Sequence, residues 1–476
     1  MGAKLFWPEC DSTPPLLAKN VYFCYDKIKM YVEVEAVFEW EPRALAVVDT
    51  LEQAGFQAVL VGGCVRDALL GRPSSDYDAA TSALPEQMLE VFSDWKVIET
   101  GRKHGTLTIM SDGLPVEVTT FRTEGNYTDH RHPDGVTFTT DLKQDLARRD
   151  FTINAMAWGR SGLTDLFEGQ EDLRAGVLRC VGDPEKRFHE DALRILRCLR
   201  FAARPGFWIH PDTEAGLRHQ VHMLDMVSRE RITDEFLKVI CQPDAERILL
   251  EYPEVVLRII PEMTATVGFD QHTPYHCYDV YTHSVKAMGQ VPPRKTMRLA
   301  ALLHDVAKPM TYSPDEQGVG HFPDHPKLGA EVADQALRKL RLDNDTREQV
   351  VTLIARHGMR LPAEEKVVKR WLSRLGPELF FELMTLDRAD NSAKRPDMVR
   401  PPIHWLDLDK MARRVLAQAD CLSLKALAVN GHDALKAGLK GPAIGRALNE
   451  LLEDVVEGRR PNDRAVLLEA LAAKNG

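Results

Sequence analysis

Residues 43 to 55, Arg-Ala-Leu-Ala-Val-Val-Asp-Thr-Leu-Glu-Gln-Ala-Gly, carry apolar positions at helical spacing and are closed by Gly55, so the pattern predicts an amphipathic helix. Ala58-Val59-Leu60-Val61 follows as an uninterrupted apolar run ending in Gly62-Gly63, the pattern of a short buried strand. Four further short runs rich in β-formers, Lys96 to Thr100, Thr106 to Met110, Pro115 to Phe121 and Val136 to Thr140, are separated by Gly, Asp and Pro and predict a small mixed sheet. From Asp183 onward the period becomes helical. It is clearest over 186–204, 228–241, 244–260, 294–307, 326–340 and 345–357, and helical patterns continue to the end. The expectation is a multidomain α+β chain: a head with a small mixed sheet, then a mainly α-helical remainder. Breaks at Pro261 to Pro274 and around Pro396 to Pro402 mark the boundaries of its parts.

Length and composition sharpen this picture. A chain of 476 residues exceeds one core, since domains usually hold about 100–200 residues, and three or four packed units are expected. With 44% hydrophobic and 28% charged residues and no repeat or low-complexity tract, the chain reads as an ordinary globular protein. Its net charge of −10 excludes a chain-wide attraction for polyanions, so any RNA site must be a local patch of Lys and Arg. Eight scattered cysteines without a CxxC pair suit reduced thiols better than a disulfide frame or structural zinc. No apolar run approaches the ~18 residues of a membrane span and no signal-peptide layout opens the chain, so a cytoplasmic location without membrane partners is expected. Residues 1–44 form an N-terminal extension to which the sequence gives no role.

Chemistry concentrates in the head. Gly62-Gly63-Cys64-Val65-Arg66-Asp67 joins a strand to a helix, so backbone N–H groups and Arg66 face a triphosphate or the glycines simply make a turn. In Ser75-Asp76-Tyr77-Asp78 the i and i+2 side chains of an extended strand share a face, which lets Asp76 and Asp78 converge on one Mg²⁺. Val116 and Val118 point to the core, leaving Glu117 on the opposite face as a third carboxylate or as a solvated strand residue. Arg148-Arg149-Asp150-Phe151-Thr152-Ile153-Asn154-Ala155 places two guanidinium groups before an expected helix, as a phosphate clamp or as a surface ion pair.

Plotted on a helix, Glu190 to Phe201 puts Ala192, Ile195, Leu196 and Leu199 on one face and Asp191, Arg194, Arg197 and Arg200 around the other, which is either a solvated polar arc or a reading surface. Cytosine and adenine both present an amino donor beside a ring-nitrogen acceptor, whereas guanine and uracil invert that order. A carboxylate that only accepts, Asp191, and a guanidinium that only donates, Arg194, match C and A. Each buried mismatch costs about 1–3 kcal/mol. Arg197 and Arg200, farther round the arc, suit phosphate or ribose.

In this order the glycine turn, Asp-Tyr-Asp, Arg-Arg-Asp-Phe-Thr-Ile-Asn-Ala and Glu-Asp-Ala-Leu-Arg-Ile-Leu-Arg resemble the class II tRNA nucleotidyltransferase and poly(A) polymerase family over residues 45–265. The resemblance implies a polymerase-β-like head in which Asp76 and Asp78 hold Mg²⁺, Gly63 and Arg66 meet the nucleotide, and Arg148 contacts its phosphates. It implies that Asp191 and Arg194 act as a protein template, and that ATP, CTP and tRNA are the partners. Glu124 to Gly135 resembles the loop retained by enzymes that add the final A. The expected reaction is addition of CMP and AMP to the tRNA 3′ end: the 3′-OH attacks the α-phosphate with two metals about 3.5–4 Å apart, and pyrophosphate leaves. Poly(A) polymerase and partial CCA addition are the alternatives within the family.

Histidines gather later in the chain, at 272, 276, 283, 304, 321, 325 and 357. Leu299, Leu302, Leu303 and Val306 give an apolar side to the helix expected to carry His304 and Asp305. The order His283, His304-Asp305 and a later aspartate, Asp390 with Asp387 as competitor, resembles HD-domain phosphohydrolases. The resemblance implies a second divalent metal held by imidazole and carboxylate, and an HD-type phosphohydrolase with a nucleotide-binding head is the alternative reading of the whole chain. The expected division is 1–44 extension, 45–180 nucleotidyltransferase head, 181–262 helical neck with the nucleobase-recognition helix, 263–395 HD domain and 396–476 helical tRNA-binding tail, the last resembling the C-terminal region of long bacterial family members.

Overall fold

The structure, a computed structural model, describes residues 40–124, 136–359, 361–418 and 421–474. The N-terminal extension before residue 40 and the loop from 125 to 135 lie outside the described residues.

Helix α1 (Pro42–Gln53) opens on Pro42 and buries Ala44, Val47, Val48 and Leu51, the stripe its apolar spacing requires. The head continues with β1 (Ala58–Val61), α2 (Gly63–Leu69), β2 (Tyr77–Thr81), α3 (Pro85–Val91), β3 (Lys96–Ile98), β4 (Thr106–Ser111), β5 (Leu114–Thr120), β6 (Arg122–Glu124), β7 (Val136–Phe138), α4 (Leu142–Ala147), β8 (Met156–Gly159), β9 (Gly162–Asp165) and α5 (Gly169–Ala175). Seven strands form one sheet in the order β3-β4-β5-β2-β1-β8-β9, and β6 pairs with β7 beside it. β2 and β5 run parallel, while β1–β2, β1–β8, β3–β4, β4–β5 and β8–β9 are antiparallel. This is the mixed sheet expected of the head. Strand β1 is central and buried on both faces: Ala58 and Leu60 join the main core, Val59 and Val61 a second cluster with Phe121, Leu142 and Leu146. A strand covered twice has no polar face to alternate with, which is why it reads as Ala-Val-Leu-Val.

The neck holds α6 (Pro184–Glu190), α7 (Leu193–Ala202), α8 (Pro211–Gln220), α9 (Arg229–Ile240), α10 (Ala245–Glu251) and α11 (Pro253–Ile259). Beyond it come α12 (Val280–Gly289), α13 (Lys295–Leu303), α14 (Lys308–Thr311), α15 (His325–Lys339), α16 (Asn344–Arg356), α17 (Glu365–Leu375), α18 (Pro377–Ser392), α19 (Ile403–Ala417), α20 (Gly431–Lys436), α21 (Pro442–Val456) and α22 (Arg464–Ala472). One apolar core runs from Ala44 in α1 to Ala389 in α18. Helices α17, α18 and α19 share a smaller core around Trp371, Phe380 and Ala412, and residues 421 to 471 enclose their own around Leu451 and Leu467.

Four expected elements differ. The helix over 186–204 is broken at Asp191, whose backbone is extended (φ −142°, ψ 102°) and whose carboxylate accepts the Leu193 N–H at 3.1 Å, starting a new helix. The helix over 244–260 is divided before Pro253, which supplies no N–H and disfavours helical backbone at Tyr252. The helix expected over 294–307 ends at Leu303, with His304 and Asp305 in the turn before α14, whose second residue is Pro309. After Arg149 there is no α-helix: Thr152–Asn154 makes a single 3₁₀ turn and the chain enters β8. Asp150 closes that turn by accepting the Phe151 N–H at 2.8 Å and the Asn154 amide at 3.1 Å, a local bond that competes with helix propagation.

Phe151, fully buried, meets Phe201 of α7 edge to face at 5.9 Å and so packs this turn against the neck. Phe151→Ala is expected to destabilise the chain by about 3–5 kcal/mol, read as a fall in denaturant midpoint; an unchanged midpoint would refute this packing role.

Candidate active site and metal centre

Asp76 immediately precedes β2 and Asp78 is its second residue, so both carboxylates point off one face of the strand. They border a cavity of about 540 Å³ that Gly62, Gly63, Arg66, Arg148, Asp191, Arg194, Arg197 and Arg200 also line. Every nucleotide-site residue expected from the sequence therefore meets in one place, with one exception. Glu117 on β5 lies beside Asp78 in register but is exposed and outside the cavity lining. Its charge still reaches the site: burial first, and repulsion from Glu117 next, push the Asp78 carboxyl above the usual aspartate range. Carboxylates that crowd one another in this way offer the all-oxygen donor set of a hard divalent cation.

Gly62 has φ +76°, and a side chain there would be both strained and 3.1 Å from the Arg149 guanidinium, so the turn requires glycine. Arg148 and Arg149 follow α4, where the helix C-terminus favours cations. Both are held by the fully buried Asp145: Arg148 donates to its Oδ1 at 3.0 and 2.7 Å, Arg149 to its Oδ2 at 3.3 Å. Arg66 donates to Asp67 at 2.9 and 2.8 Å and to the Asn154 carbonyl oxygen at 2.7 Å. Asp150 accepts from Arg197 at 2.9 and 2.6 Å. Burial would raise the Asp150 carboxyl, but the Arg197 charge and the Asn154 and Arg197 hydrogen bonds outweigh it and hold it down to about 2. Around Phe201 stand three guanidinium groups, Arg66, Arg200 and Arg204, at 5.0, 4.5 and 5.4 Å from its ring centre. Eight arginines and five aspartates line the cavity, a cationic patch inside a chain of net charge −10.

The base-reading pair is built differently from the expected single helix. Asp191 sits at the break: one oxygen caps α7 and the other accepts from Arg231 of α9 at 3.0 Å. Arg194, on α7, donates to Glu190 Oε2 at 2.9 Å and to the Arg187 and Arg148 carbonyls at 3.1 Å each. Farther along α7, Arg197 reaches Asp150 and Arg200 pairs with Glu235 of α9. Arg231, Arg204 and Asp145 lie outside every sequence motif of the site and are brought to it only by the fold, whereas Asp150, Asn154 and Glu190 stand within the motifs and hold its arginines.

A second cluster lies in the helical part. His283 of α12, His304 and Asp305 of the turn after α13, and Asp390 of α18 bring ligand atoms within 4.8 Å of one another, all buried. His283 Nε2 is 2.9 Å from Asp390 Oδ1 and 3.4 Å from Asp305 Oδ2; His304 Nε2 is 3.1 Å from Asp305 Oδ2. The competing Asp387 instead accepts from the Trp405 indole N–H at 2.9 Å. His321 is exposed and pairs with Asp315.

Residues 58–179 match the family described as the poly A polymerase head domain, 206–265 the probable RNA and SrmB-binding site of polymerase A, and 320–471 the putative domain 2 of tRNA nucleotidyltransferase. The chain is 34% identical to the CCA-adding enzyme of Limosilactobacillus fermentum over 439 residues, 91% of this chain and 96% of that one. It is 34% identical to the CCA-adding enzyme of Geobacillus stearothermophilus over 440 residues, 91% and 96%. Among solved structures it is similar to the Bacillus stearothermophilus CCA-adding enzyme in complex with CTP, with a TM-score of 0.67, 30% identity and coverage of 92% and 98%. Among the described residues no helix is long and apolar enough to cross a membrane.

Asp150→Ala leaves the partly exposed Arg197 without its buried partner and is expected to cost about 1–3 kcal/mol, since water replaces part of the lost interaction. Because the folded carboxyl titrates near 2 against an ordinary 3.8, the pair's contribution is fully present above the ordinary value and is lost only as pH falls through the folded one. Denaturant unfolding of Asp150→Ala and the parent at about pH 5 and about pH 8 should therefore give the same difference. A difference that shrinks at the lower pH would contradict the assignment.

Proposed function

The chain belongs to the CCA-adding enzyme family, with which it is 34% identical over 91% of its length, and from that premise we propose how its cavity adds nucleotides to RNA. The protein adds CMP and AMP to the 3′ end of tRNA without a nucleic-acid template, using CTP and ATP and releasing pyrophosphate. The observation that carries this reading is the meeting of Asp76, Asp78, the arginines and the Asp191–Arg194 pair around one cavity.

Asp76 and Asp78 hold Mg²⁺, with the Glu117 charge beside them. When bound, the metal lowers the barrier by making the tRNA 3′-OH a better nucleophile and by neutralising charge on the departing pyrophosphate. The side chains of this protein position the rest. Arg148 and Arg149, fixed by Asp145, carry donors for the β- and γ-phosphates, and Arg66, fixed by Asn154, adds charge at the glycine turn. In the transfer the 3′-oxygen bonds to the α-phosphorus, the bond to the β-phosphate oxygen breaks and pyrophosphate takes the electron pair.

Asp191 and Arg194 read the base. The Asp191 carboxylate accepts the exocyclic amino group of C or A by exchanging Arg231 for the base, and the Arg194 guanidinium donates to the ring nitrogen. G and U present the opposite order and leave about 1–3 kcal/mol unmet for each buried group. The same two residues accept both correct bases because those bases share this edge.

The buried cluster of His283, His304, Asp305 and Asp390 supports a second assignment: a divalent metal site of HD type within 263–395, between the head with its neck (45–180 and 181–262) and a tRNA-binding tail (396–476).

A tRNA transcript lacking its last three nucleotides, given Mg²⁺, CTP and ATP, is expected to gain CCA and stop. A stop after two residues would make this a CC-adding enzyme, and long A tails a poly(A) polymerase. Asp76→Ala is expected to lower extension at least about a thousandfold, since a ligand of the reacting metal supplies several kcal/mol; near-parental rates would sink the assignment.

A further inference from the structure

Of the eight arginines that line the cavity of the head, seven are paired with a carboxylate. Arg204, just past the end of α7, is the eighth. Among the described residues its guanidinium makes no hydrogen bond and no ion pair. It lies 5.4 Å from the centre of the Phe201 ring, which it shares with Arg66 and Arg200 at 5.0 and 4.5 Å. The backbone of Arg204 is anchored on both sides: its N–H donates to the Phe201 carbonyl and its carbonyl accepts from the Phe207 N–H, each at 3.2 Å. The residue is therefore held in place with its charge unmatched.

A helix C-terminus favours a cation, but not one turned toward like charges. Burial first, then the Arg66 charge, push the Arg204 guanidinium below the usual arginine range, with Arg200 and Arg72 adding to the push and Asp67 opposing it. Arginine keeps its proton all the same, so the repulsion stands until an anion enters. Of the three guanidinium groups around Phe201, Arg66 is matched by Asp67 and Arg200 by Glu235, which leaves one positive charge over. Arg72, exposed and outside the cavity lining, is likewise without a side-chain hydrogen bond or ion pair among the described residues. Unmatched positive charge thus leads from the cavity to the surface.

We propose that Arg204 binds a phosphodiester of the tRNA acceptor strand and so positions the 3′ end for transfer, with Arg72 as the next cation on the strand's way out. This rests on the reading of the cavity as the site of nucleotide addition and deepens it. A phosphodiester carries one negative charge, the complement of the one left over around Phe201. A nucleoside triphosphate carries several, and Arg148, Arg149 and the metal at Asp76 and Asp78 already face it. Only the RNA continues out of the cavity, as the step from Arg204 to the exposed Arg72 requires. The guanidinium fork offers two donors to a phosphate, and its packing against the Phe201 ring limits its rotation, so less freedom is lost when the strand binds.

The test follows CMP addition to a tRNA transcript lacking its last three nucleotides by the parent, Arg204→Gln and Arg204→Lys. In Arg204→Gln the KM for tRNA is expected to rise about tenfold, the worth of one charge-assisted phosphate contact, while the KM for CTP changes by less than about twofold. The slope of log KM for tRNA against log salt should flatten by about 0.7, the share of one single-strand phosphate, and Arg204→Lys, which keeps the charge, should restore it. A purely structural role would not move that slope. Binding of the same tRNA without CTP, read by fluorescence anisotropy, should weaken in Arg204→Gln by the same factor as the KM. A CTP constant that rises alone, or in step with the tRNA constant, would overturn the proposal, and so would equal tRNA binding by the parent and Arg204→Gln. A parent that binds tRNA but adds no nucleotide would instead contradict the reaction read from the cavity; weaker tRNA binding by Arg204→Gln would then still uphold the phosphate contact.

Discussion

Asp150 lies buried between groups from two parts of the chain, accepting Arg197 from α7 with one oxygen and the Asn154 amide with the other. Asn154 in turn accepts from Arg66 beside the glycine turn. Three segments separated by up to 131 positions (Arg66 to Arg197) are thereby tied through one carboxylate. Its charge is compensated on every side, which keeps it ionised despite burial. The arrangement fixes α7, and with it Arg194 and the cap at Asp191, relative to α2 and its glycine turn, which packs against the strand that carries Asp78. A site that reads a base at one end and transfers its phosphate at the other needs those ends at a constant separation.

The electrostatics follow the same economy. The chain is acidic overall, yet eight arginines border the cavity, several of them oriented by buried carboxylates: Asp145 for Arg148 and Arg149, Asp150 for Arg197, Glu235 for Arg200. Each guanidinium thus enters the site with its side-chain freedom already restricted, so less entropy remains to be lost when phosphate binds. In the helical part Asp305 has the corresponding position, turned toward four imidazoles rather than toward arginines.

Much of this was legible in the sequence because local patterns produced it. The doubly covered β1 announced itself as four consecutive apolar residues, and the aspartates at 76 and 78 share a face by the period of a strand. The break at Asp191 was not legible: apolar spacing runs through it unbroken, and only the capping of Leu193 by the same carboxylate shows where the helix restarts. Strand β8, Met-Ala-Trp-Gly, has no β-branched residue and is held by pairing with β1 and β9, a tertiary effect that outweighs propensity. Arg231 reaches Asp191 from forty positions away, and His325 and His357 reach Asp305 from other helices; nothing local in the chain marks such partners.

The central claim is that Asp191 and Arg194 supply the base information that a template supplies elsewhere. Its most direct test is the ratio of kcat/KM for CTP over UTP on a tRNA lacking its terminal cytidines, measured for the parent and for Arg194→Ala. The account predicts that the ratio falls at least tenfold in the variant, about 1.4 kcal/mol of lost discrimination, with the two nucleotides brought closer together. A variant that slows both nucleotides equally and keeps the parental ratio would contradict it.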